Sequence, residues 1–325
     1  LALAASMPVD GRVSLSLHAG AFTKEISSVI SDPHRVLIVE CSPNFPRTFG
    51  AGTYEHSIGI EDIDFLLLSD RVALNLADVA ASEAENQIAD IAVTYIHDGC
   101  TLQTGIGGIP TQVATKLAAG SGGDYGIHSE MFTTGLMRLH LAGKVTNRKG
   151  TEFDGFSVTT FAAGESDLYT WLHENHDVRF MPVGIVNSPE VISRNRNMVS
   201  INGAMAIDLS GQVIADSING KQFSGIGGHE DFVSGPGLST HGRSLLCLPS
   251  TSIVNGVVIS RILGRMPEGS VVTTPRHQVD VVNTEYGAVE IAGLSIAERA
   301  HALAAISHPD FRQQLLSTAD VWPSD

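Results

Sequence analysis

An α/β architecture with a mainly parallel sheet is expected from three patterns in this chain of 325 residues. Short apolar β-rich runs alternate with stretches at helical spacing, glycine turns join the two, and Gly, Pro or charged residues close each unit. The length suits about two domains of roughly 150 residues each. Hydrophobic residues at 43%, with 33 glycines beside them, exclude a disordered chain. No uninterrupted apolar run exceeds five residues, against the ~18 that a membrane-spanning helix requires, so no membrane association is expected. A net charge of −15 would repel a phosphate backbone, which argues against nucleic acid and leaves any anionic ligand to local dipoles. Cys41, Cys100 and Cys247 lie far apart without a CxxC pair, the usage of buried thiols in a reducing compartment, here taken as the cytoplasm.

At the start of the chain, Leu1-Ala2-Leu3-Ala4-Ala5 reads as a strand, since it is too short for a signal peptide and has no basic lead-in. Val36–Val39 and Phe65–Leu68, short, continuous and apolar, read as buried strands. Ile88, Ile91, Ala92 and Tyr95 at helical spacing predict a helix across 81–97 that Asp98-Gly99 ends, and a strand comes next at 101–104. Gly105-Ile106-Gly107-Gly108-Ile109-Pro110 then feeds a helix across 111–119, which Pro110 can open without losing a needed N–H. Gly120–Gly123 reads as a linker, dividing the chain into domains 1–122 and 123–325. A strand at 125–128, a helix from Met131 to Ala142, a hairpin around Ser210-Gly211, further strands near 158–161, 179–183, 244–248 and 279–282, a helix at 295–306 and a short one after Pro309 complete the pattern.

Two stretches bear chemistry. Phe223-Ser224-Gly225-Ile226-Gly227-Gly228 echoes Gln103-Thr104-Gly105-Ile106-Gly107-Gly108 at an offset of 120 residues, which suggests two similar α/β halves facing each other. A glycine loop before a helix lets backbone N–H groups approach a phosphate or an oxyanion, or it is a tight turn only. Neither copy matches a dinucleotide fingerprint or a P-loop. Gly126-Ile127-His128-Ser129-Glu130-Met131 ends a strand and opens a helix, and parallel sheets place their chemistry at such ends. Glu130, ionised at neutral pH, could attack an activated carbonyl, or could merely favour the helix N-terminus with Ser129 as cap. His128 could orient Glu130 or pack inside the strand. His173 and His176 lie three apart without a third ligand, so no metal site is expected. Arg194, Arg196, Lys221, Arg243 and Arg276 are candidate phosphate partners or plain surface charges.

The strings GIGGIP, GIHSEM, SIN at 200–202, ADSINGKQFSGIGG at 215–228, TEYG at 284–287 and HPDFR at 308–312, with SMPVDG at 6–11, resemble the acetyl-CoA hydrolase/transferase family. Within that family the chain is most similar to 4-hydroxybutyrate and butyrate/acetate CoA-transferases. The resemblance implies two CoA-transferase-type open α/β domains with the site in the cleft between them, the first domain incomplete at its beginning. It implies Glu130 as the nucleophile that becomes a glutamyl-CoA thioester, and CoA contacts at Gly105, Ile106, Gly107, Gly108, Ile109, Met205, Gly227 and Gly228. It implies acyl-CoA and short-chain carboxylic acids as substrates, no tightly bound cofactor, and a homo-oligomer, dimer or tetramer. Where the family usually carries Gln and Arg, this chain has His229 and Ser234, which bears on acyl preference.

The expected activity is ping-pong transfer of CoA between an acyl-CoA and an acetate-, butyrate- or 4-hydroxybutyrate-type acid. Backbone N–H groups at Gly107, Gly108, Gly227 and Gly228 would stabilise the oxyanions, and two facing domains would exclude water. The alternatives are an acetyl-CoA hydrolase using the same Glu130, a non-catalytic acyl-CoA-binding protein, and, remotely, a sugar-phosphate isomerase.

Overall fold

The structure, a computed structural model, describes residues 1–20, 22–78, 80–151, 153–218 and 220–321. The α/β expectation holds: two parallel sheets carry the fold. In the first, β1 (Ala2–Ala5), β2 (Ile38–Cys41) and β3 (Phe65–Leu68) run parallel with β2 in the middle. Ala5, Val13, Leu15, Ile26, Val29, Leu37, Val39, Cys41 and Ile58 form its core.

The second sheet is the scaffold of the site. It contains β4 (Thr101–Thr104), β5 (Gly126–Ile127), β6 (Met198–Gly203), β7 (Arg243–Cys247), β8 (Val281–Thr284) and β9 (Gly287–Glu290), in the order β9-β8-β7-β6-β4-β5. All neighbours are parallel except the β8–β9 hairpin. Ser200 stands opposite both Gln103 and Ser244, so the strands end nearly level. Both faces are covered, and the period of two decides which side each residue serves. Leu245 and Val281 join Ile88, Leu102, Phe132 and Leu136 in one core; their neighbours Leu246 and Val282 join Ile207, Ile262 and Leu303 in another. The covering helices are α1 (Glu83–Ala92), α2 (Gly108–Ala119), α3 (Thr134–Leu141), α4 (His229–Leu238), α5 (Ile296–Ala305) and α6 (Pro309–Asp320). Capping boxes start α1 at Ser82/Glu85 and α5 at Ser295/Glu298.

Several expectations need correction. The division at residue 122 falls between β4 and β5, hydrogen-bonded neighbours of one sheet with Thr101 opposite Gly126, so residues 101–122 belong with the second sheet. The two sheets part instead between Leu68 and Glu83, and Trp322–Asp325, the end of the second expected domain, lie outside the described residues, as does Asn219. β3 was expected to be buried, yet it forms an edge of its sheet, with Phe65 59%, Leu67 54% and Leu68 68% exposed. Its apolar residues on both faces are those of an interior strand, and only the tertiary placement makes it an edge. The strand expected at 36–39 starts two residues later, at Ile38. The helix expected from Met131 starts at Thr134, where the Thr133 hydroxyl caps it; Met131–Phe132 instead pairs with Phe161–Ala162. The helix after Pro309 is three turns long rather than short.

The hairpin around Ser210-Gly211 is present, with Ala206 opposite Ile214. The facing halves are not. Gly225–Gly228 comes after a small hairpin, Ser217–Ile218 with Lys221–Gln222, outside the main sheet, so the likeness to Gly105–Gly108 is confined to the loop and the helix after it. All three cysteines are free and buried. No helix among the described residues is long and apolar enough to cross a membrane.

Burial pushes His56, His140 and His229 down to about 4, below their value of 6.5 in the unfolded chain. Their neutral forms are the ones the fold accommodates. The stability they contribute is therefore complete above pH 6.5 and lost as pH falls towards 4, because the unfolded chain takes up protons first. We expect the thermal midpoint to fall steadily between pH 6.5 and 4.5, and the slope to flatten in a His56→Gln/His140→Gln variant. A pH-independent midpoint would contradict this.

Candidate active site

The C-terminal ends of β4, β5 and β6 lie at one edge of the main sheet, and the expected site residues leave the sheet there. Gly105–Gly108 lies just beyond β4, Glu130 beyond β5, and Met205 beyond β6. Gly107 takes φ +120°, a conformation that a side chain would strain, which lets α2 begin directly after the sheet.

Glu130 is held by its own backbone. Its carbonyl accepts from the Thr160 N–H at 3.0 Å, the Phe161 N–H at 3.2 Å and the Thr159 hydroxyl at 2.9 Å. Ser129 is fully buried, with its N–H donating to Val158 O at 3.0 Å and its hydroxyl 2.7 Å from Met131 O and 3.2 Å from Thr104 O. The residue before Glu130 thus ties it to the strand that launches the first glycine loop. Ser129 caps no helix; the reading of Glu130 as a helix-terminus charge falls with the start of α3 at Thr134.

The second glycine loop reaches the carboxylate itself. The Gly228 N–H donates to Glu130 Oε2 at 2.8 Å. A Cβ on Gly228 would stand 2.2 Å from that oxygen and 2.4 Å from Asn187 Nδ2, so the position has no room for a side chain. Asn187 donates to the Glu130 carboxylate and to Asp231 Oδ2, the latter at 3.3 Å. Burial raises the Glu130 pKa above its ordinary value, and the Asp231 charge adds to the rise; the Gly228 N–H and Asn187 oppose it by favouring the anion. Asp231 is likewise raised by burial and lowered by Asn187.

Glu130, Gly105, Ile106, Gly227 and Gly228 line a cavity of about 400 Å³. It shares Ile106, Asn202, Gly203 and Ala215 with a second cavity of about 370 Å³ lined by Gly107, Gly108, Ile109 and Met205. Met205 and Arg261 in turn border a third, about 640 Å³, between the Thr251–Ser260 hairpin and the Pro267–Ser270 loop. One cleft therefore runs from Glu130 past both glycine loops, and Glu130 and every expected CoA-contact residue lie on it. It is large, elongated and partly apolar, the form of a site for a long flexible ligand.

Other candidates resolve differently. His128 is fully buried, its Nε2 2.8 Å from Val186 O and its Nδ1 3.3 Å from Asn195 Nδ2. His173 Nδ1 accepts from the Arg47 N–H at 3.2 Å, and His176 stacks on Phe49 at 4.3 Å, so both pack against the first domain. Arg243 pairs with Asp280 and Glu290, and Arg194 with Glu190. None of the five expected cations lines the three cavities; among the described residues, Arg261 does. His229 lines the Glu130 cavity, and its Nε2 lies 2.9 Å from Thr274 Oγ1, whereas the Ser234 hydroxyl turns back to Glu230 O at 2.8 Å and is absorbed by its own helix. Asn187, Asp231 and Arg261 escaped the sequence reading because no motif or spacing marks them.

Residues 164–319 match the acetyl-CoA hydrolase/transferase C-terminal domain. The chain belongs to the acetyl-CoA hydrolase/transferase family. It is 40% identical over 283 residues to the 4-hydroxybutyrate coenzyme A transferase of Clostridium kluyveri, covering 87% of this chain and 64% of that protein. Among solved structures it is similar to RipA from Yersinia pestis (35% identity, TM-score 0.88, 98% of this chain and 70% of that one). It is also similar to a 4-hydroxybutyrate CoA-transferase from Porphyromonas gingivalis (32% identity, TM-score 0.81, 97% and 73%). The chain thus spans a little under two thirds of the length of the curated relative.

Gly228→Ala keeps the N–H but sets a Cβ 2.2 Å from Glu130 Oε2, which pushes the carboxylate off this donor, so acyl-CoA turnover should fall by roughly 10²-fold or more. The thermal midpoint should move little, because φ −86° suits alanine and the two atoms the Cβ would meet, Glu130 Oε2 and Asn187 Nδ2, are the ends of side chains that can swing aside. Near-wild-type turnover would show that the seat of the Glu130 carboxylate against this loop is not needed.

Proposed function

We propose that this chain carries the catalytic site of a CoA-transferase moving CoA between an acyl-CoA and a short-chain carboxylate of the acetate, butyrate or 4-hydroxybutyrate type. The observation that carries the reading is the Glu130 carboxylate, anchored by the Gly228 N–H on the wall of a cleft that passes both glycine loops. Family membership supports it. CoA is a substrate in this reading and not a resident cofactor.

The geometry suits covalent chemistry. Glu130 attacks the acyl-CoA carbonyl and expels CoA thiolate, leaving a mixed anhydride. The thiolate attacks the Glu130 carbonyl carbon of the anhydride, which releases the acyl group as a free carboxylate and leaves CoA on Glu130 as a thioester. A second carboxylate reverses the sequence and departs as its CoA ester. An anhydride and a thioester are both activated acyl groups, so the protein's task is to stabilise tetrahedral oxyanions and to keep water out. The Gly228 N–H and the Asn187 amide donate to the Glu130 carboxylate at the start, and they are in place for the charge that develops on its oxygens.

Partial burial favours the reaction by stripping water from the nucleophile but also raises its proton affinity. Only the carboxylate attacks, so the rate falls as pH drops through the raised pKa. The acid limb of kcat/KM should lie above the ordinary glutamate value of 4.5, and Asp231→Asn, which removes a neighbouring negative charge, should move it to lower pH. An unshifted limb in that variant would separate Asp231 from the nucleophile. The decisive test is incubation with acetyl-CoA followed by borohydride or hydroxylamine trapping. Wild-type protein should carry the adduct on Glu130 and Glu130→Ala none, with turnover reduced by about 10³-fold or more. Binding without any adduct would make this an acyl-CoA-binding protein.

A further inference from the structure

The repeated loop motif places one isoleucine at the same point of each copy. Ile106 comes after Gly105 and Ile226 after Gly225, and both line the cavity that holds Glu130. Neither packs into a core: Ile106 is 60% exposed and Ile226 47% exposed. Large β-branched side chains held in water beside a charged carboxylate cost free energy unless something in the working cycle uses them. Both loops are firmly seated. Gly107 and Gly108 lead directly into α2. In the second loop, Asp216 O accepts from the Phe223 and Ser224 N–H groups at 2.9 and 3.1 Å, while its carboxylate takes the Thr273 hydroxyl at 2.6 Å and Gln222 Nε2 at 3.0 Å.

We infer that Ile106 and Ile226 form a water-excluding pair that decides how the thioester on Glu130 is resolved, by carboxylate transfer rather than by hydrolysis. The inference rests on the CoA-transferase reading and deepens it. Hydrolysis joins a water oxygen to the Glu130 carbonyl carbon and breaks its C–S bond. CoA leaves as the thiol, one proton goes to solvent, and Glu130 returns as the carboxylate. Transfer begins with the acceptor carboxylate attacking that same carbon and breaking that same bond. The thiolate then attacks the acyl carbon of the anhydride and breaks its bond to the Glu130 oxygen. The two fates differ only in which oxygen reaches one carbon. Two apolar side chains over the bound thioester deny small, mobile water the hydrogen-bonded position from which it would attack. A carboxylate displaces that water on entry and brings its own apolar chain against the isoleucines. Gly227 and Gly228 beside Ile226 keep the backbone close to Glu130, which leaves the water-excluding work to these two side chains.

The test measures two rates on the full chain with butyryl-CoA: release of free CoA without acceptor, and formation of acetyl-CoA with acetate as acceptor. It also measures the Glu130 adduct trapped after acetyl-CoA. Ile226→Ser and Ile106→Ser should each still form the adduct and raise the ratio of hydrolysis to transfer by roughly tenfold, as expected when an apolar shield is opened to water. Ile226→Leu, which restores an apolar side chain of equal volume, should return the ratio close to wild type. An adduct with an unchanged ratio in both serine variants overturns the inference and leaves the CoA-transferase reading standing. Equal loss of both rates with no adduct shows that the loops only bind CoA, and overturns it as well. No adduct in wild-type protein overturns both readings.

Discussion

A single hydrogen bond, from the Gly228 N–H to Glu130 Oε2, ties together parts of the chain 98 residues apart. Its demands explain much of its surroundings. The carboxylate must be held from behind, which the Thr159, Thr160 and Phe161 donors on the Glu130 carbonyl do. The glycine must come close enough that no Cβ fits. That closeness requires a loop shaped by Asp216 and a helix, α4, seated against β6 and β7. None of these features is unusual alone. Together they hold an anionic oxygen at the wall of an open cleft without sealing it in.

Burial and hydrogen bonding work against each other at this oxygen. Withdrawal from water raises the proton affinity of Glu130, as does Asp231; the backbone donor and Asn187 lower it again. A nucleophile in full solvent would be ionised but well solvated and slow, whereas one fully buried without donors would be protonated and inert. The arrangement lies between those limits. Asn187 is central to the balance, because one amide serves both Glu130 and Asp231 and so keeps two carboxylates in proximity without direct contact.

Much of the candidate site was legible in the sequence because its backbone is local. Glycines that shape a loop, a strand that ends, and a glutamate just beyond it leave signatures within a few residues, and the family's strings recur in order. Glu130 and both glycine loops were therefore found, and the structure brings them to one cleft. Asn187, Asp231 and Arg261 left no such trace: the first two act on the Glu130 carboxylate and Arg261 reaches the cleft, each from an element whose local pattern is ordinary and which only its packing brings there. The five cations picked by charge alone went elsewhere, Arg243 to Asp280 and Glu290, Arg194 to Glu190. Charge says which groups a residue can pair with but not which of them stands beside it.

By itself, the order of residues determined the alternation of strands and helices, the free buried cysteines and the family, since each depends on short-range periodicity or on contiguous strings. Tertiary structure alone decided that β4 and β5 share a sheet across the glycine linker, that β3 is an edge although it reads as an interior strand, and that the helix after Glu130 starts three residues late. It also decided that the two glycine loops border one cavity, with only the second reaching the Glu130 carboxylate. The physical reason is common to all of these: a side chain's propensity is set by its own bonds, whereas its neighbours, its solvent and the field it feels are set by segments arriving from a hundred residues away.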